Sequence, residues 1–152
     1  MGWCIMISGL GHVAVVVKNL AASLSFYTET LELKEAFRID QQDGSPFIVY
    51  LYIAPGQFIE LFAMGNETIE RKPTTVGLYH ICLTVKNVEQ AYQSMLQKNA
   101  PIDSAISEGR AKCKQFWTHD PDGNAIEIME LPPESLHVQA PKRFAEIELN
   151  NM

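Results

Sequence analysis

The feature that most limits what this chain can become is that it is written twice. Leu10-Gly11-His12, followed by Val17-Lys18-Asn19-Leu20, returns as Leu78-Tyr79-His80, followed by Val85-Lys86-Asn87-Val88. His12 recurs as His80, Lys18 as Lys86 and Leu20 as Val88, each 68 positions on. An internal period of this kind decides the fold before any single element does. With 152 residues the chain fits one domain, able to bury roughly 70% of its unfolded surface.

Each copy opens on a strand-like run, His12–Val17 and His80–Val85, rich in β-branched residues. Asn19 and Asn87 then stand where a helix N-cap belongs, and Gln90 is placed to complete a capping box with Asn87. Leu20, Leu24, Tyr27 and Leu31 fall on one helical face, as do Val88, Ala91, Tyr92 and Met95. Asn99-Ala100-Pro101 ends the second helix, because proline cannot continue the hydrogen-bond ladder. Further strands follow in copy one over Glu35–Asp40, Phe47–Ile53 and Phe58–Ala63, with turns at Asp43-Gly44 and Pro55-Gly56. In copy two they are a weak strand near Ala105, then Lys112–His119 and Ala125–Glu130, the last two joined by Asp120-Pro121-Asp122-Gly123. The spacing predicts an α+β fold of two tandem βαβββ modules, about 8–64 and 76–131, within a single domain over 1–131. Gly65–Thr75 is the connector. Residues 132–152 form a tail broken by Pro132, Pro133 and Pro141, with a short helix near Arg143–Leu149; the first five residues read as an upstream extension before Met6.

The composition removes several function classes. Twelve Lys and Arg stand against eighteen Asp and Glu, a net charge of −6, which argues against a nucleic-acid binder. Three cysteines (Cys4, Cys82 and Cys113) close no disulfide framework and show no two-residue metal or redox spacing, so a reducing, cytoplasmic setting is expected. No apolar run approaches the roughly 20 residues that span a bilayer, and Met1–Ser8 lacks the basic start of a signal peptide.

Four residues do not suit the strands that carry them. Glu60 shares a side with Phe58 and Phe62, opposite Ile59 and Leu61; Glu127 lies between Ala125 and Met129, opposite Ile126 and Ile128. His12 and His80 sit on equally apolar runs. A strand apolar on both sides is normally buried on both sides, and an ionised glutamate there is costly unless paired or bound to a metal. The four obey the repeat, each copy giving one His from its first strand and one Glu from its last. Two such copies converge two imidazoles and two carboxylates on one point, a donor set suited to a six-coordinate divalent ion: Ni, Co, Mn, Fe or Zn. Cys82 reads as a small buried hydrophobe, Glu130 as solvated at a strand end, and His119 and His137 as surface residues.

With these residues in place, the chain resembles the vicinal oxygen chelate superfamily, which includes glyoxalase I, bleomycin-resistance proteins, fosfomycin-resistance enzymes and extradiol dioxygenases. The resemblance covers about Ser8–Leu131 and includes Phe26-Tyr27-Thr28 and Asp120-Pro121-Asp122-Gly123-Asn124-Ala125-Ile126-Glu127. It implies the glyoxalase-like fold, paired βαβββ modules whose mixed sheets curl around a metal site. His12, Glu60, His80 and Glu127 resemble the glyoxalase I metal set. By that resemblance Glu127 is the mobile catalytic base and Glu60 shares proton transfer. The reaction implied is a lactoylglutathione-lyase-type isomerisation, a 1,2-proton shift through a metal-bound enediolate. The implied substrate is a small molecule, a 2-oxoaldehyde–thiol adduct or related carbonyl compound, and the implied assembly a homodimer. An epimerase, an extradiol dioxygenase and a bleomycin-resistance-type binding module are the alternatives. Three positions depart from the glutathione-binding pattern: Glu29 stands where a cation is usual, Met64 where Asn is common, and Arg110-Ala111-Lys112 in place of a Lys-Gly-Gly-type loop.

Overall fold

A computed structural model describes residues 7–67, 72 and 74–142. The expected helix near Arg143–Leu149, the extension before Met6 and part of the connector lie outside the described residues. Contacts divide the chain into two compact units. The first is Leu10–Ile81 together with His119–Ala125; the second holds Cys82–Thr118 and runs from Ile126 into the tail.

The first unit carries a four-stranded sheet of β1 (His12–Val16), β2 (Lys34–Asp40), β3 (Pro46–Ala54) and β4 (Gln57–Phe62), in the order β1-β4-β3-β2. β1 runs parallel to β4, and the remaining pairs are antiparallel. One face is the core, with Val15, Val49, Leu51, Ile59 and Leu61 all buried. Helix α1 (Leu20–Ser25) starts where Asn19 caps it, its side chain accepting from the Ala22 N–H at 3.1 Å. It does not continue as a regular helix: Phe26–Thr30 form a π-helical turn. Of the expected stripe Tyr27 is fully buried and Leu20, Leu24 and Leu31 are half-buried, while Ser23 and Phe26, outside it, are also buried.

The second unit carries β5 (Ile81–Val85), β6 (Ser107–Glu108), β7 (Lys114–His119) and β8 (Ala125–Glu130), in the order β5-β8-β7-β6. Helix α2 (Val88–Gln97) is capped by Asn87, which accepts from the Gln90 N–H at 2.8 Å. Its inward stripe is the expected one: Val88 and Met95 are buried, and Ala91 and Tyr92 half-buried. Thus α+β modules of βαβββ order occur twice, as the repeat predicts. The weak strand expected near Ala105 falls at Ser107–Glu108, where pairing with β7 fixes it through Ser107↔Gln115 and Glu108↔Lys114. Glu130 is not solvated; its Oε2 accepts from the Val88 N–H at 2.9 Å and so caps the first turn of α2.

Candidate functional site

Strand register assembles the second face of the first sheet row by row. Ala14 pairs with Glu60, Glu60 with Tyr50 and Tyr50 with Phe37. Beside that row lie His12, Phe58, Tyr52 and Lys34, again in register. Because successive strand residues alternate sides, these eight share the face opposite the core. The rings interlock: Phe37 stacks on Tyr50 with centroids 4.1 Å apart, and Phe58 presents an edge to each at 6.1 Å. Phe37 and Tyr52 nevertheless remain exposed.

In this aromatic surface Glu60 is only 4% exposed. His12 Nδ1 lies 3.5 Å from its Oε1, and the Tyr50 hydroxyl hydrogen-bonds to the same carboxylate, which raises the phenol's pKa. A buried carboxylate needs such partners. The structure therefore brings together His12 and Glu60, two of the four residues singled out from the sequence.

Glu127, on β8, is 8% exposed. Beside it, desolvation and the Glu127 carboxylate push the Cys82 thiol pKa up to about 12. The residue itself is exposed, not the buried hydrophobe expected from its neighbours. The repeat explains the pairing, since Cys82 occupies the position of Ala14, the register partner of Glu60. His80 stands one residue before β5 and is half-buried. It lines a cavity of about 640 Å3 in the first unit with Tyr79, Lys18, Asp122 and Asn124, whereas His12 and Glu60 are not among its walls. Among the described residues no three His, Cys, Asp or Glu side chains form a group able to hold a metal ion.

Sequence reasoning missed the best-satisfied polar centre. Asp120 is fully buried and accepts from the Tyr27 hydroxyl at 3.0 Å, from the Asp122 and Asn124 N–H groups at 3.0 and 2.8 Å, and from Asn124 Nδ2 at 2.9 Å. Desolvation of Tyr27, then the charge and hydrogen bond of Asp120, raise the phenol's pKa far above its ordinary value. The two residues are 93 positions apart; the signal available was the turn chemistry of Asp120-Pro121-Asp122-Gly123.

Of the positions that depart from the glutathione pattern, Glu29 is exposed and accepts from Ser25 Oγ at 2.8 Å, and Met64 is also exposed. No helix of the described residues is long and apolar enough to cross a membrane.

Comparison with known proteins gives a consistent result. The uncharacterized protein YwbC of Bacillus subtilis is 26% identical over 126 residues, covering 82% of this chain and 99% of that one. Lactoylglutathione lyase of Schizosaccharomyces pombe is 25% identical over 146 residues, 79% of this chain but 46% of that enzyme. The crystal structure of a glyoxalase family protein from Enterococcus faecalis superposes with a TM-score of 0.68 at 21% identity, covering 81% of this chain and 98% of its own. A family model matches residues 9–128, and the chain belongs to the Glyoxalase/Bleomycin resistance protein/Dioxygenase superfamily.

Proposed function

We propose that the protein is a divalent-metal-dependent isomerase of the glyoxalase I type, with His12 and Glu60 as one half of the metal set and His80 and Glu127 as the other, the halves completed between two copies of the chain, since the described residues of one chain group no three of them. The observation that carries this reading is Glu60, nearly sequestered in an aromatic surface and faced by an imidazole at 3.5 Å. Two imidazoles and two carboxylates suit Ni, Co, Zn, Mn or Fe and leave positions open for substrate oxygens. Such an ion would supply positive charge to two adjacent oxygens while a C–H proton leaves.

The chain's own residues do the rest. Glu127 takes the proton from one carbon and returns it to the next, while Glu60 shares the transfer by carrying the hydroxyl proton from the first oxygen to the second, giving a 1,2-shift that converts a 2-oxoaldehyde–thiol adduct to a 2-hydroxy thioester. Tyr50 and His12 keep Glu60 oriented, and Phe37, Tyr52 and Phe58 offer an apolar bed to the substituent on the carbonyl. The carboxylate at Glu29 supports a thiol other than glutathione. Homodimerisation and a cytoplasmic setting belong to the same proposal, the second supported by three cysteines that close no framework.

Elemental analysis of wild type and His12→Ala, both purified without chelator, tests the metal. About one ion per His/Glu set is expected, lost in the variant. Glu127→Gln is expected to lower turnover of a 2-oxoaldehyde–thiol adduct by about 10²–10⁴-fold; unchanged turnover overturns its role as base. The exposed rings of the first sheet also favour a second reading, a ligand-binding module. Tight binding of an aromatic drug, unaffected by chelator, in a protein that takes up none of these metals would put that reading first.

A further inference from the structure

The family match ends at residue 128, yet the described chain continues through Lys142 and folds back on the second unit. Residues 136–142 are helical. Ser135, fully buried, starts this helix: its Oγ accepts from the Val138 N–H at 3.3 Å and its carbonyl from the Gln139 N–H at 3.0 Å. The next residue reaches across to the loop between β6 and β7, where the Leu136 N–H donates to the Ala111 carbonyl at 2.9 Å. One residue further, His137 Nδ1 lies 3.3 Å from the sulfur of Cys113, which is fully buried although His137 is itself exposed.

The loop so held is tight and strained. The Gly109 N–H donates to the Cys113 carbonyl at 2.8 Å and the Lys112 N–H to the Gly109 carbonyl at 2.9 Å. Lys112 has φ = +59°, a left-handed conformation that a side chain with a Cβ resists. Such a residue stays in place only where its surroundings over-determine it, and here the added surroundings come from the tail. Arg110 and Lys112, the cations that replace the Lys-Gly-Gly-type loop, are both exposed on it.

We propose that the helix over 136–142 is a strap that holds the Gly109–Cys113 loop in its strained shape, with the Cys113–His137 contact as the catch. While the strap is down, Arg110 and Lys112 are presented in one fixed geometry and the Cys113 thiol is shielded. When it lifts, Lys112 relaxes and Cys113 becomes reachable by an electrophile. Thiol alkylation therefore reports the strap directly, whatever reaction the protein catalyses.

Two substitutions release it without shortening the chain. Leu136→Pro deletes the donor to Ala111 at the first helical position, where proline is accepted because its missing N–H serves no intrahelical bond. His137→Ala removes the catch. Each is expected to speed iodoacetamide labelling of Cys113, followed by peptide mass spectrometry, by about tenfold, the equivalent of one lost hydrogen bond. Trypsin cleavage after Arg110 rises in parallel. Adding Lys112→Gly, which removes the strain, restores the protection of Arg110 in both backgrounds. Labelling as slow as wild type in both variants overturns the proposal; so does faster labelling with unchanged Arg110 cleavage, which would make the tail a cover for the thiol and not a holder of the loop. Hydrogen exchange on the unsubstituted protein is an independent readout, immune to any folding defect. The Leu136, Gly109 and Lys112 amides should open together, and a Leu136 amide that opens far faster than the loop pair refutes the strap.

Discussion

Tyr27→Phe removes a single oxygen from a fully buried side chain and leaves its packing intact. That oxygen donates to Asp120 at 3.0 Å, and a hydrogen bond to a charged acceptor contributes about 1.5–3 kcal/mol. Asp120 keeps its other three donors in the variant, so the carboxylate is not orphaned and a loss near 2 kcal/mol at pH 7 is expected. At this chain length that is a fall in Tm of about 4–8 °C. The pH dependence gives a sharper test. The native Tyr27 pKa is raised by burial and by Asp120, whereas in the unfolded chain it sits near 10. The stability Tyr27 contributes is therefore fully present below about pH 10 and is lost as pH rises above it, by about 1.4 kcal/mol per pH unit. Phenylalanine has no proton to lose, and the other titrating groups are common to both proteins. Urea denaturation curves should start about 2 kcal/mol apart at pH 7 and converge about 1.5 units above pH 10. A variant within 0.3 kcal/mol of wild type at pH 7 (~0.3 being the resolution of such differences), or a gap that stays constant through pH 11, would refute this account of the Tyr27–Asp120 pair.

Two further substitutions test local statements. Gly65→Ala places a Cβ 2.8 Å from the Val17 carbonyl oxygen and 2.9 Å from its carbon, backbone atoms that cannot step aside, so a loss of about 1–3 kcal/mol is expected in thermal melts. Asn87→Ala leaves the Gln90 N–H without its cap and should cost about 1 kcal/mol, while Asn87→Asp or Asn87→Ser should restore most of it.

What the sequence made legible was whatever depends on neighbours in the chain or on the repeat. Asn19 and Asn87 cap their helices because the cap geometry is local. Glu60 and His12 face one another because alternation along β1 and β4 puts both on the side away from Ile59 and Leu61. What stayed hidden depends on strand register and on contacts between distant segments. The rows that carry Tyr50 and Phe37 to Glu60 run through bulges between Glu35 and Phe37 and between Tyr52 and Ala54, whose positions no alternation pattern gives. Cys82 looked like core because its strand is apolar, but its side of β5 is open. Glu130 looked idle because the N–H it caps lies 42 residues away. The π-helical turn at Phe26–Thr30 escaped a reading that assumed one helical period throughout.

The short segment His119–Ala125 has a consequence for how this chain can be divided. In sequence it belongs to the second copy, yet in the folded protein it packs with the first, where Asp120 takes the Tyr27 proton donor and Asp122 accepts from the Lys18 N–H at 3.2 Å. A fragment ending at the repeat boundary would thus bury a phenol with no acceptor and leave the entry to α1 unclasped. The halves are similar as text but not separable as parts. If the repeat arose by duplication, the second copy has since taken on a structural duty for the first, which cannot be inherited, expressed or transplanted without that piece.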